Sequence, residues 1–177
     1  MIAAYADPPY IGQAARHYRK HPDYAGEVDH AALLRLLGEY ECWALSCSST
    51  SLQRILRLAE CPDDVRIAAW VKPFAVFKVG VNPAYAWEPV VFRGARKRAR
   101  HEMALMDWVS VGVNPAAPKA AGFVPGAKPE RFSYWLFGLL GLLKDDELHD
   151  LFPGSGAVSR AWQEYRCGFL IPDQVSA

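Results

Sequence analysis

A short acidic turn, Asp7-Pro8-Pro9-Tyr10, directly follows the apolar run 2–6. Proline locks φ and stiffens the backbone, so a carbonyl in this turn keeps a set direction, and no proline N–H competes for it. A carboxylate and a carbonyl fixed side by side can each accept one N–H of a single amino group. That chemistry suits an exocyclic amine on a heteroaromatic base, a poor nucleophile because its lone pair is delocalised into the ring. Two acceptors favour a more tetrahedral nitrogen with its lone pair turned toward an incoming methyl. Holding the two in line is the main rate gain expected. The ring of Tyr10 offers a stacking surface for a base flipped out of its helix. Read alone, the four residues are equally a strand that ends in an acidic, proline-rich turn.

A second candidate is Asp150-Leu151-Phe152-Pro153-Gly154-Ser155-Gly156, a strand end and glycine loop ahead of a helix. Glycines let backbone approach a ligand closely, and a helix N-terminus presents free N–H groups. There is no full GxGxxG, so a dinucleotide is not indicated, and without Gly-Lys-Ser/Thr a P-loop is excluded. The alternative is a plain glycine turn. Ser155 has no partner arrangement for a nucleophile.

Other reactive residue types give less. The five histidines, His17, His21, His30, His101 and His149, are scattered. Cys42, Cys47, Cys61 and Cys167 form no CxxC pair and no Cys/His cluster, so neither a zinc site nor another metal is expected. With no secretory signal, free and mostly buried thiols are expected rather than disulfides. Arg93, Arg96, Lys97, Arg98 and Arg100 form a basic run suited to phosphate contacts, which position a nucleic acid without reading its sequence. The alternative is a solvated loop.

Periodicity supplies the framework that carries these groups. Strands are expected at 2–6, 42–47, 65–71, 86–92, 148–152 and 168–171. Helices are expected from the Asp29 cap to Tyr40, after the serines at 48–51, from Pro129 to about Leu143, and at 157–165. Residues 11–28 read as a polar loop in which Arg16, His17, Tyr18, Arg19 and Lys20 form a lid over the substrate or a passive connection. Residues 93–127 read as irregular. The stripe Phe132, Trp135, Leu136, Leu139 and Leu140 is core. Alternation of strand and helix implies an α/β fold, mostly parallel, with helices on both faces and an antiparallel pair within 65–92. Ligands then bind beyond the carboxyl ends of the strands, where both candidate loops fall.

With 177 residues, the chain fits one domain spanning 1–177, with 93–127 as a short basic insert. Its 51% hydrophobic content and net charge of +1 are ordinary, so bulk charge announces no nucleic-acid partner. No apolar run reaches the roughly 18 residues of a membrane span, and a cytoplasmic protein without membrane association is expected.

Together the motifs resemble the S-adenosylmethionine-dependent amino-methyltransferases that act on DNA at adenine N6 or cytosine N4. Asp7-Pro8-Pro9-Tyr10 resembles their catalytic motif, and the segment 150–156 their cofactor motif. Lys128-Pro129 is similar to the Lys-Pro that commonly precedes it. Trp70-Val71-Lys72 and Trp87-Glu88-Pro89-Val90 resemble later strands. Catalytic motif first and cofactor motif last is the permuted β-type order, shared with adenosine methyltransferases of messenger RNA.

The resemblance implies a Rossmann-like class I methyltransferase with S-adenosylmethionine as cofactor and DNA as partner, adenine N6 before cytosine N4. RNA, or an inactive nucleic-acid-binding subunit, are the alternatives. It implies that Asp7 and the Pro8 carbonyl hold the amine, within the catalytic set Asp7, Pro8, Pro9 and Tyr10. Asp7, Asp150, Phe152, Gly154, Ser155 and Gly156 would border the cofactor, and Lys128 would sit near its methionine carboxylate. Leu170 stands where the family carries an acid for the ribose, leaving Asp173 as the nearest carboxylate. With only 93–127 available for recognition, low sequence specificity is expected, or specificity supplied by a homodimer or partner subunit.

Overall fold

The computed structural model describes residues 1–12, 26–73, 79–112 and 127–168. Its strands are β1 (Ile2–Ala6), β2 (Cys42–Ser46), β3 (Arg66–Val71), β4 (Trp87–Arg93), β5 (Trp108–Ser110) and β6 (Glu147–Asp150). Its helices are α1 (His30–Leu37), α2 (Ser49–Leu56), α3 (Glu130–Leu140) and α4 (Ala157–Cys167). The strands form one sheet in the order β5-β3-β4-β2-β1-β6. Within it β1 runs parallel to β2 and β6, and β3 parallel to β5. Only β4 is reversed, antiparallel to both β2 and β3, as expected for the pair within 65–92.

Side-chain alternation divides the core into two layers. Ala3 and Tyr5 of β1, Trp70 of β3, and Val90 and Phe92 of β4 face α3 and α4, packing on Phe132, Leu136, Phe137 and Trp162. Ala4 and Ala6, with Trp43, Leu45 and Val91, face α1 and α2 through Leu33, Leu34, Leu37 and Ile55. Helices therefore cover both faces. Central strands buried on both sides read as continuous apolar runs, which is why β1 and β2 were plain in the sequence.

Caps set the helix starts. The Asp29 carboxylate accepts from the N–H groups of Ala31 and Ala32, at 2.9 and 3.0 Å. The Ser48 hydroxyl accepts from Ser51 N–H at 3.1 Å. Pro129 is the N-cap of α3 rather than its first turn. That helix stops before the expected residue 143 because Gly141 turns left-handed at φ 68°, its N–H donating to the Gly138 carbonyl.

Strand boundaries differ from expectation as well. The strand β5 lies inside the segment expected to be irregular. The strand β6 ends at Asp150, two residues early, so Leu151 and Phe152 begin the glycine loop. The strand expected at 168–171 and the lid residues 16–20 lie outside the described residues, except that Gly168 caps α4. Among the described residues no helix is long and apolar enough to cross a membrane.

Candidate active site

Parallel strands bring their carboxyl ends to one edge of the sheet, and the reversed β4 brings its amino end there. The register places Trp70 opposite Glu88. The period-two alternation then does the rest: Asp7 follows Tyr5, Lys72 follows Trp70, and Glu88 precedes Val90 by two. All three charged residues thus emerge at one edge on the α3 face. Lys128, just ahead of α3, closes the group.

The contacts are specific. Lys128 Nζ donates to Asp7 Oδ2 at 2.7 Å and lies 3.7 Å from Glu88 Oε2. Lys72 Nζ donates to Glu88 Oε1. The Tyr10 hydroxyl donates to Glu88 Oε2 at 2.6 Å, a charge-assisted bond. Beneath lie aromatic faces: Lys72 Nζ stands 4.6 Å from the Trp70 ring centroid, and Lys128 Nζ stands 5.3 Å from that of Trp70 and 5.9 Å from that of Phe132. Side-chain exposure is 5% for Lys128, 22% for Asp7, 16% for Glu88 and 21% for Lys72, so two carboxylates and two ammoniums share a mostly dry site.

Burial and these contacts set the protonation states. Burial pushes the Asp7 carboxyl above its ordinary value, although Lys128 draws it back. Burial also pushes Glu88 up, but Lys128, Lys72 and the Tyr10 bond outweigh it and hold Glu88 below the usual range. Burial works to lower the Lys128 ammonium, and Asp7 and Glu88 more than reverse this. Burial, with Asp7 and Glu88, keeps the Tyr10 phenol neutral. The neighbouring Cys47 thiol is pushed by burial and the same two carboxylates up to about 12, so it offers no thiolate nucleophile.

Two buried carboxylate oxygens at this edge, Asp7 Oδ1 and Asp150 Oδ1, have no hydrogen-bond partner among the described residues. A buried acceptor left unpaired costs about 1–3 kcal/mol, so each is a position that a ligand donor would satisfy. Asp150 stands at the end of β6 in register with Tyr5, its Oδ2 accepting from the Ser159 hydroxyl at 2.9 Å. The loop after it ends in Gly156, the N-cap of α4 at φ 70°, where a side chain would be strained and its Cβ would meet Arg160 Nη1 at 3.1 Å. Phe152 is partly buried against the α1/α2 layer.

The expected site residues divide accordingly. Asp7, Pro8, Pro9, Tyr10, Asp150, Phe152, Gly154, Ser155 and Gly156 lie at or beyond the carboxyl ends of the neighbouring strands β1 and β6. Lys128 does hold a carboxylate, but that carboxylate is the protein's own Asp7. Asp173 lies outside the described residues. Sequence reasoning missed Glu88 and Lys72 as site residues, noting them only as strand markers. The available signal was the charge at each strand end combined with the reversed direction of β4.

The basic run is not at this edge. It lies beyond the carboxyl end of β4, where Arg93 pairs in register with Trp43 near the start of β2, at the opposite end of the sheet. Arg93 Nε bonds Asp64 at 2.6 Å, and Arg98 donates to the carbonyls of Met103 and Gly138. Arg96 forks onto Asp146 at 2.8 and 2.9 Å, where the amino group of Met1 and Leu143 N–H also converge. Burial of Asp146 favours its neutral form, but these donors outweigh it and hold the carboxyl well below the usual range. Of the five residues, Lys97 and Arg100 stand exposed beside Arg98. Because β4 is antiparallel, the chain leaves it at the rim away from the catalytic turn, and the run lies there. Arg96→Ala is expected to lower unfolding free energy by about 2 kcal/mol in urea titrations, the worth of hydrogen bonds to a charged group. An unchanged midpoint would remove Arg96 from the framework.

No family model matches the chain, and no curated protein matches it. Solved structures do. The crystal structure of the M1.HpyAVI–SAM complex is 16% identical with a TM-score of 0.59, covering 92% of this chain and 78% of that one. The crystal structure of M1.HpyAVI is 17% identical with a TM-score of 0.58, covering 93% of this chain and 76% of that one. At this identity the likeness establishes the fold alone: this chain shares with those structures an α/β fold whose sheet is mostly parallel and covered by helices on both faces.

Proposed function

We propose that the protein transfers a methyl group from S-adenosylmethionine to the exocyclic amino group of a base in DNA, adenine N6 before cytosine N4. The observation that carries this reading is Asp7 Oδ1, a buried acceptor without a partner among the described residues, on a carboxylate whose other oxygen is fixed by Lys128. One N–H of the amine fits Oδ1, and the Pro8 carbonyl takes the other. Tyr10, tethered through its hydroxyl, offers its ring to the extruded base. S-adenosylmethionine, when bound, supplies an electrophilic methyl group. The residues fit that cofactor: the unpaired Asp150 Oδ1, the Gly154-Ser155-Gly156 loop and Phe152 stand next to β1, and M1.HpyAVI, of the same fold, is a complex with SAM. With the basic run at the far end, target recognition falls to residues of the ligand edge or to a second subunit.

Radiolabelled methyl transfer to DNA and to RNA, with nucleoside analysis of the products, tests the reading. Labelled N6-methyladenine from DNA is expected. Label confined to RNA would move the substrate class, and no label together with no calorimetric binding at millimolar cofactor would refute the enzyme.

Asp7 must be an anion to accept the amine proton. Its carboxyl is raised by burial, so activity is lost as pH falls through a value above the ordinary aspartate 3.8. The acid limb of kcat/KM for DNA is expected above that pH, and a limb at or below it would contradict the assignment.

A further inference from the structure

The site holds one carboxylate that the amine chemistry does not use. Glu88 is 16% exposed: its Oε1 accepts from Lys72, its Oε2 accepts from the Tyr10 hydroxyl, and Lys128 Nζ stands 3.7 Å from Oε2 as an ion-pair partner. Two of these partners also bear on the reacting group, since Lys128 fixes Asp7 Oδ2 and Tyr10 closes the catalytic turn. Four charges in a dry site are a costly way to secure a sheet edge, where apolar residues of similar volume serve as well or better. Perturbed charged groups gathered at a ligand edge point instead to a working role.

We propose that Glu88 is a positioning residue for methyl transfer: it fixes the Tyr10 phenol and shares Lys128 with Asp7, so that Lys128 holds Asp7 Oδ2 while Oδ1 is left unpaired for the amine. This rests on the amino-methyl-transfer reading above. Without Glu88, Lys128 would belong to Asp7 alone and clamp it more tightly, while Tyr10 would lose its tether. The groups facing Asp7 are Lys128 ahead of α3, Glu88 of β4, Lys72 after β3, Tyr5 of β1, Tyr10 of its own turn, and Asp150 of β6, with Cys47 after β2 nearby. Of these, Glu88 raises the Asp7 carboxyl and Lys128 lowers it.

Two readouts on the full-length chain separate this proposal from the reading beneath it. Carboxyl-carbon NMR titration of Asp7 needs no methyl transfer. The Asp7 midpoint is expected to fall in Glu88→Gln and to rise in Lys128→Met, whereas a merely structural Glu88 would leave it in place. In methyl transfer to DNA, Glu88→Gln is expected to lower kcat roughly tenfold and to move the acid limb down, in step with the midpoint. Tyr10→Phe, which removes only the tether, is expected to raise KM for DNA several-fold with a smaller change in kcat. An unmoved Asp7 midpoint in Glu88→Gln overturns the proposal, as does wild-type KM in Tyr10→Phe. If Glu88→Gln does not fold, Lys72→Met and Tyr10→Phe each remove one bond to the same carboxylate, and wild-type kinetics in both overturn it. Shifted midpoints in a protein that methylates neither DNA nor RNA would uphold the charge network and refute the methyl-transfer reading alone.

Discussion

Asp7→Ala is expected to abolish methyl transfer, by a factor on the order of 10³, while sparing S-adenosylmethionine binding in part. The size reflects what the side chain does. In the proposed reaction Asp7 Oδ1 is the acceptor that turns a delocalised amine into a nucleophile, and preorganised groups of this kind are worth about 10²–10³ each when removed. The loss also leaves Lys128 with Glu88 as its remaining close carboxylate, which draws the ammonium off the turn. Cofactor binding is expected to be retained in part because the residues proposed to hold it, Asp150 at the end of β6 with Phe152 and the glycine loop that leads into α4, lie apart from the turn. Radiolabel incorporation and calorimetry check the two halves separately. Full activity in the variant would overturn the catalytic assignment of the turn.

The second large effect is on stability. Phe132 is fully buried and its ring meets those of Trp70, Trp135 and Tyr5, at centroid distances of 5.2, 5.7 and 6.2 Å. It joins β1 and β3 to the first turn of α3 and lies under Lys128. Phe132→Ala is expected to cost about 3–5 kcal/mol through lost burial and the cavity left behind. That is a large share of the roughly 5–15 kcal/mol that holds an ordinary domain folded. Urea unfolding monitored by tryptophan fluorescence measures it directly. A loss below about 1 kcal/mol would mean that the aromatic layer repacks and does not set the site's floor.

Much of this arrangement was legible in the residues. The apolar run ahead of Asp7, the glycine loop after Asp150 and the antiparallel pairing of β3 with β4 each have a local cause, and each is present. Which strand of the antiparallel pair is the reversed one was what local reading did not supply. Whether a charge beside a strand meets the ligand depends on which way that strand runs. Glu88 therefore read as a strand marker, while the basic run, denser in charge, read as a candidate for phosphate contacts or as a solvated loop. The three-residue strand β5 was hidden for a different reason: so short a segment has no measurable period, and it is strand only because β3 is there to pair with it. The early stop of α3 at Gly141 was masked by the apolar Leu142 and Leu143, of which Leu142 packs in the core beyond the helix end rather than within it.

The reversal of β4 also divides the surface into parts that tolerate change differently. The connection from β3 to β4 leaves Lys72 and returns at Trp87, so it starts and finishes beside the carboxylates. The connection from β4 to β5 departs from the far rim. A longer excursion in the first would add new walls around the substrate without disturbing the frame, whereas the second can lengthen or shrink with no view of the chemistry. Selection for a different target, natural or in the laboratory, has one convenient place to write, and it is the stretch between those two strands.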